Sequence, residues 1–406
     1  MSFDLKAFMS KVGPIDLDGS VPREEFESRI ERTRRMLHDG SIDVGFAYAN
    51  ELKPGDVGWL TGYDPHLEDA ACIVGRKRVF VLGGPEGAAY ASELKKVGEF
   101  RNLDVLKIPE EDYPGAIFHS MAELLEEANG GRVKTIGLLS PESYLPALLL
   151  RLLKESGSAR VVDASAFLFS ARYVKSASEQ RIMRSAALIS THAMRAMVES
   201  VDAGVRETQV AANGDYVMRA LGADGRPGVC TLVNSGERIS NVIGRASNRV
   251  IEGGDMVLLG LSARLQGLAS SLSRTVVVGE ESPDQKELLD RCAEAYHSAV
   301  SRLAFGMPAS GPDIAARDNL ASCGLSPMYS VVHNIGWTEA MEGHGAATQY
   351  STYMFPKNIT LMVDIGIFGT AFRGISRERV GLRLEDPFLI NDEGKTERLT
   401  DLRLRS

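Results

Sequence analysis

Ser176 stands three residues before Glu179 at the head of KSASEQRIMRSAALISTHAMRAMVESV, and this pair divides the 406-residue chain into two parts of different pattern. A serine hydroxyl and a glutamate at that spacing satisfy free N–H groups of a helix's first turn reciprocally, so a long amphipathic helix is predicted to begin there. Upstream, Ile42–Tyr48, WLTGY (Trp59–Tyr63), ACIVGRKRVFVLGG (Ala71–Gly84), VLKIP (Val105–Pro109) and TIGLL (Thr135–Leu139) read as strands. Pro22–His38 and Gly115–Asn129 between them read as helices. Such alternation predicts an α/β N-terminal domain over residues 1–173. Downstream the pattern changes to helices at Arg206–Leu221, Pro283–Phe305 and Gly311–Cys323, a hairpin-like region from Val229 to Val278, and a strand-rich end after Thr360. Residues 174–406 are therefore predicted to be α+β, with helices packed on one curved antiparallel sheet.

The chain is long enough for two cores, since a single core stops growing well short of this length. A formal net charge of -8, with no basic run longer than a pair such as Arg34 and Arg35, argues against a nucleic-acid partner. Cys72, Cys230, Cys292 and Cys323 are far apart and form no CxxC pair, so they read as thiols in a reducing cytoplasm. MSFDLKAFMSKVG lacks the apolar run of a signal peptide, and no stretch reaches about 18 apolar residues, so no membrane partner is expected.

Several phrases then follow in a telling order: WLTGYDP, VKSASEQRIMRSAA, RVIEGGDMVLLG, SSLSRTVVVG, VVHNIGWTEA, ITLMVDIGIFG and GLRLEDPFLINDEG. In this order and spacing the chain resembles the creatinase, prolidase and aminopeptidase P family over nearly its whole length. The resemblance implies a pita-bread fold for residues 174–406. It also implies a homodimer, in which the loop after WLTGY, with Asp64, His66 and Glu68, reaches toward the partner's cleft.

In the family's peptidases two Asp on a hairpin, one His and two Glu on late strands hold two metal ions. Carried over by motif, the two Asp positions are Gly260 and Ser271, the His is His333, and the Glu positions are Asp364 and Glu385. The hairpin should set Gly260 and Ser271 face to face across paired strands. A two-metal site needs bridging carboxylates, which Gly and Ser cannot supply, so no metal or other cofactor is expected. One ion on His333, Asp364 and Glu385 stays open as an alternative. Creatinase works without metal, but its catalytic His has no counterpart in Ser235–Asp255, where Arg238 and Arg245 stand instead; Arg245 would suit an anionic group of a substrate.

His333 is read as a site residue, since it titrates near neutrality and falls in the cleft by motif. Asp364 lies in the apolar run LMVDIGIF, where a buried carboxylate needs a partner. Beside Glu385 it would give two carboxyl groups with pKa values pushed apart, an acid and a base. Arg383 and Glu385 share a strand face, as a substrate clamp or as a pair that staples the sheet. Glu342 and His344 replace the family's second cleft His, which aligns with Ala340, and are read as substrate contacts able to supply the missing acid or base; Ser271 is also read as a substrate contact. Ser270, Ser271 and Ser273 have neither a GxSxG elbow nor a matched base, so a serine nucleophile is not expected.

These residues point first to a metal-independent hydrolase that cleaves a C–N bond in a small polar substrate through His333, Asp364 and Glu385. Two alternatives stand beside it: a residual proline-type metallopeptidase with one ion, and a non-catalytic protein that binds a small molecule or short peptide.

Overall fold

The computed structural model describes residues 3–156, 159–225, 230–339 and 342–405. Val21–Arg172 forms one compact unit, and the described residues up to Ser20 join those from Tyr173 onward in the other. The leading segment, with the short helix α1 (Leu5–Met9), thus packs with the later part of the chain and not with the α/β half. Asp16 anchors it by a bidentate ion pair with Arg181 at 2.7 and 2.9 Å.

The α/β unit begins with α2 (Arg23–Asp39) and β1 (Val44–Ala49). Next come α3 (Gly55–Thr61), β2 (Ala70–Val74), β3 (Val79–Gly83), α4 (Ala88–Leu94) and β4 (Glu99–Asn102). It ends with α5 (Met121–Asn129), β5 (Thr135–Leu138), α6 (Ala147–Glu155), β6 (Arg160–Asp163) and α7 (Ser165–Tyr173). The sheet order is β4-β3-β2-β1-β5-β6, mixed in direction.

Four readings of this half need correction. WLTGY is not a strand: Trp59–Thr61 closes the fully buried helix α3, and Gly62, at φ +80°, ends it in the left-handed conformation that glycine adopts without a Cβ clash. VLKIP is not a strand either, because Asp104–Leu106 forms a single 3₁₀ turn and the strand is the charged segment before it, β4. Ala71–Gly84 is two antiparallel strands joined at Gly75–Arg78. The helix read from Gly115 begins at Met121, where Ser120 and Glu123 form a capping box.

The second unit opens with α8 (Ala177–Ser200), capped by Ser176 and Glu179 through hydrogen bonds of 3.1 and 2.8 Å. α9 (Glu207–Ala220), β7 (Leu232–Ser235), β8 (Met256–Leu265) and β9 (Leu268–Val277) follow; Val229, read as the start of the hairpin region, lies outside the described residues. The remainder is α10 (Pro283–Val300), α11 (Gly311–Ala321), β10 (Val332–Asn334), β11 (Ile359–Phe368), β12 (Gly381–Ile390) and β13 (Thr396–Arg398). Among the described residues the strands form one antiparallel sheet ordered β10-β11-β12-β9-β8-β7, with β13 on β12.

Alternation along the late strands decides which side chains reach the site. Leu361, Val363, Ile365 and Ile367 of β11 and Leu382 and Leu384 of β12 share a core with Leu288, Leu289, Cys292 and Ala295 of α10. The residues between them, Met362 and Asp364 on β11 and Arg383 and Glu385 on β12, must then point to the opposite face.

Candidate active site

The sheet register assembles the site. Leu232 pairs with Gly260, Gly260 with Ser273, Ser273 with Glu385, and Glu385 with Asp364, so one row crosses β7, β8, β9, β12 and β11. Directly opposite residues of antiparallel strands present side chains on the same face, which gathers Ser273, Glu385 and Asp364 there. His333 pairs with Met362, two residues from Asp364, and so joins that face from β10. Gly260 and Ser271 are not face to face: Ser271 pairs with Ser262, which makes Gly260 its diagonal neighbour. The turn that fixes this register is Gln266–Gly267, both at positive φ, and Asp224 accepts hydrogen bonds from both of their N–H groups at 3.0 and 2.8 Å.

The late-strand side chains form a connected charge network. Arg383 donates from Nε to Asp364 Oδ1 at 3.0 Å and from a terminal nitrogen to Oδ2 at 2.6 Å, and it lies 3.4 Å from Glu385 Oε2. Tyr329 donates its hydroxyl to Asp364 Oδ1 at 3.0 Å. That approach requires glycine at 366, since a Cβ there would lie 2.2 Å from the Tyr329 oxygen. Ser273 Oγ donates to Glu385 Oε2 at 2.8 Å, while His333 Nε2 stands 3.5 Å from Glu385 Oε1 with its Nδ1 3.0 Å from the carbonyl of Asn334.

These contacts push the two carboxyl groups apart. Burial works against ionised Glu385, but the Arg383 charge and the hydrogen bond and charge of His333 overcome it and lower its pKa to about 2. Asp364 moves up, because burial and the neighbouring Glu385 charge outweigh Arg383. Burial would lower His333, yet Glu385 and Asp364 bring it up to about 9.

The hairpin half is built differently. Ser262 Oγ donates to Glu339 Oε1 at 2.6 Å, and Ser271 Oγ is 2.9 and 3.1 Å from the two oxygens of the same carboxylate. The Ser271 hydroxyl is therefore engaged with a protein group that sequence reasoning passed over. Counting outward from the Gln266–Gly267 turn would have paired Ser262 with Ser271. Glu339 itself has no local signal, because the loop after β10 brings it in from 68 residues beyond Ser271. Tyr329 was missed for the same reason.

The donor set decides what metal the site fits. Ligand atoms of His333, Asp364 and Glu385 all lie within 4.8 Å of one another. Two dications about 3.5 to 4 Å apart need bridging carboxylates, and Gly260 offers no side chain while Ser271 serves Glu339. Two ions do not fit. One ion fits the three remaining donors, provided that Arg383 releases the Asp364 oxygens it now holds.

The other candidates are scattered. Glu342 is fully buried and ion-paired with Lys175, also buried, and it accepts from the Thr338 N–H at 3.2 Å. A carboxylate spent in this way clamps its own loop, so Glu342 is not the substrate contact expected from sequence. His344 is stacked on Tyr353 at 3.9 Å with Tyr173 at its edge, an aromatic packing role in place of an acid–base one. Arg245 is exposed, and its backbone bridges Leu232 on the far side of Gly260, away from the late strands. Arg238 is ion-paired with the buried Glu207, which also accepts from Ser235 and Ser247. Ala340 lies outside the described residues. In the loop after α3, His66 pairs with Glu51 at 3.1 Å, while Glu68 is buried against the Gly87 N–H at 2.7 Å and is not free to reach elsewhere.

Comparison with known proteins adds a family to this geometry. The profile of Metallopeptidase family M24 matches residues 181–392. The chain is 28% identical to an Xaa-Pro dipeptidase of Pyrococcus horikoshii over 346 residues, 83% of this chain and 94% of that protein. To an Xaa-Pro dipeptidase of Pyrococcus furiosus it is 27% identical over 381 residues, 92% of this chain and 99% of that protein. The crystal structure of the prolidase from Pyrococcus horikoshii superimposes with a TM-score of 0.77 at 24% identity, covering 93% of this chain and 99% of that one. An X-Pro aminopeptidase from Thermotoga maritima does so with a TM-score of 0.77 at 22% identity, covering 93% and 98%. Likeness at those two identities carries the fold alone, and the second unit has the pita-bread arrangement.

Proposed function

The chain belongs to metallopeptidase family M24, and from that premise we propose that it hydrolyses an amide C–N bond in a short peptide or peptide-like molecule, using the late-strand half of the family's site. The relatives named as Xaa-Pro dipeptidases support the substrate class. The observation that carries the reading is the convergence of His333, Asp364 and Glu385 on one sheet face beside a hairpin that has no carboxylate. A metal-independent creatinase-like hydrolase, the first reading of the sequence, has less support from these relatives than a peptidase does.

Glu385 orients the attacking water and receives its proton as oxygen bonds to the carbonyl carbon. His333 holds a proton at Nε2, next to Glu385, and delivers it to the leaving nitrogen as the C–N bond breaks. Asp364, fixed by Arg383 and Tyr329, keeps the guanidinium aimed at the reacting centre, where it balances negative charge on the carbonyl oxygen. A single ion would instead be held by His333, Asp364 and Glu385, in place of the His333 proton and of the Arg383 contact with Asp364, and would supply Lewis-acid polarisation of the carbonyl.

One observation favours a second reading, hydrolysis with no ion. Arg383 already chelates Asp364 and touches Glu385, so the place of the cation is served by a guanidinium.

Release of free proline from Xaa-Pro dipeptides, measured on the purified chain as prepared, after chelation, and with manganese or cobalt added, tests both readings. Hydrolysis that needs added metal supports the one-ion form, and hydrolysis that survives chelation supports the metal-free form. No amine release from these dipeptides or from a set of small amides in any of the three conditions would defeat the proposal.

A further inference from the structure

Glu339 is a carboxylate with two hydroxyl donors and no cation. Each of Ser262 and Ser271 has one hydroxyl proton to give, and both are spent on it. Among the described residues no Lys, Arg or His forms an ion pair with Glu339; the site's guanidinium, Arg383, is committed to Asp364 and Glu385. Both serines are buried on neighbouring strands, so the carboxylate is held from below by a rigid hairpin. Glu339 itself keeps partial exposure and stays reachable.

Its place relative to the reacting groups follows from register. The pair Ser262–Ser271 is the next same-face step after Gly260–Ser273, and Ser273 donates to Glu385. Two residues along a strand span about 6.8 Å. A carboxylate without a counter-ion thus stands one step from Glu385, over the hairpin position where the family's peptidases keep a metal ligand. A half-buried carboxylate that lacks a protein cation gains most from a ligand cation, because charge-assisted hydrogen bonds strengthen where water is partly excluded.

We propose that Glu339 recognises a cationic group of the substrate, an ammonium or amidinium beside the scissile bond, with Ser262 and Ser271 as its positioning residues. The inference rests on the hydrolase reading for the location of the scissile bond, while the cation preference itself is a matter of binding. The shared chemistry has two sources, the free amino terminus of a short peptide and the amidinium of a guanidino compound.

Calorimetric binding to the full chain separates these outcomes, with alanyl-proline, N-acetyl-alanyl-proline and guanidinoacetate as probes. The wild type should bind at least one of the two cationic probes about tenfold or more tightly than the acetylated dipeptide. Glu339→Gln keeps an acceptor for both serines and so preserves the loop, yet it should shrink that preference to about twofold or less. Glu339→Asp should restore part of it, which a purely structural clip would not do. Preference for alanyl-proline assigns the cation to a peptide terminus, and preference for guanidinoacetate assigns it to an amidinium. Equal binding of the acetylated dipeptide, or a preference that survives Glu339→Gln, would overturn the proposal. If the preference holds while none of the probes is cleaved, the hydrolase reading falls and the cation site stands.

Discussion

The β8–β9 hairpin and the β10–β11–β12 strands line the same sheet face, but they meet it with opposite chemistry. The late strands present His333, Asp364, Arg383 and Glu385, charges that compensate one another in a buried network. The hairpin presents Gly260, Ser262, Ser271 and Ser273 with no carboxylate of its own, and borrows one from the loop that carries Glu339. Backbone pairing is complete in the hairpin, and the row from Leu232 to Asp364 stays in register. Apolar alternation and backbone hydrogen bonds hold the sheet, so its architecture does not depend on which side chains the hairpin presents to this face.

The contrast can be broken most forcefully at Arg383. Arg383→Leu removes the only cation bonded to the Asp364 oxygens among the described residues and leaves that carboxylate buried. Loss of one partner from a buried pair costs about 3 to 5 kcal/mol, which chemical unfolding of the variant should register. A change below about 1 kcal/mol would mean that the late-strand network is not held together by this guanidinium. Next in size is Glu385→Gln, which keeps volume and should lower the rate of amide hydrolysis on the order of 100-fold or more, with the circular-dichroism spectrum unchanged. Turnover within a few-fold of wild type would remove Glu385 from the chemistry. Smallest is Ser271→Ala on the hairpin side, where loss of one hydroxyl donor to Glu339 should reduce the same rate by less than about tenfold, because Ser262 still holds the carboxylate. A loss as deep as that of Glu385→Gln would place a catalytic group on the hairpin side.

What could be read from the sequence follows the same division. The capped start of α8, the late strands and the neighbourhood of Asp364 and Glu385 were legible because caps, alternation and ordered motifs are local signals, whereas the facing of Gly260 and Ser271 was misjudged for want of the turn position. Helix α3 was not, since a short helix buried on every side has no polar face and its apolar run imitates a strand. β4 failed in the opposite sense, as an edge segment too charged to stand out. In the site, the pairing of Glu342 with Lys175 joins residues 167 positions apart and left no trace in the motif around Glu342. Glu339 and Tyr329 likewise act through tertiary approach, Tyr329 through the space left by Gly366.

With no carboxylate on the hairpin, the site should hold one ion at most. Elemental analysis of the chain after saturation with manganese, cobalt or zinc and removal of loose metal measures that capacity directly, with Gly260→Asp/Ser271→Asp as its counterpart. A Cβ at residue 260 would meet Leu232 and Ser273 at 3.2 Å, close enough to need only a small shift for an aspartate. The natural sequence should hold no more than one ion per chain and the double variant more; two tightly held ions in the natural sequence would rule out a one-ion site.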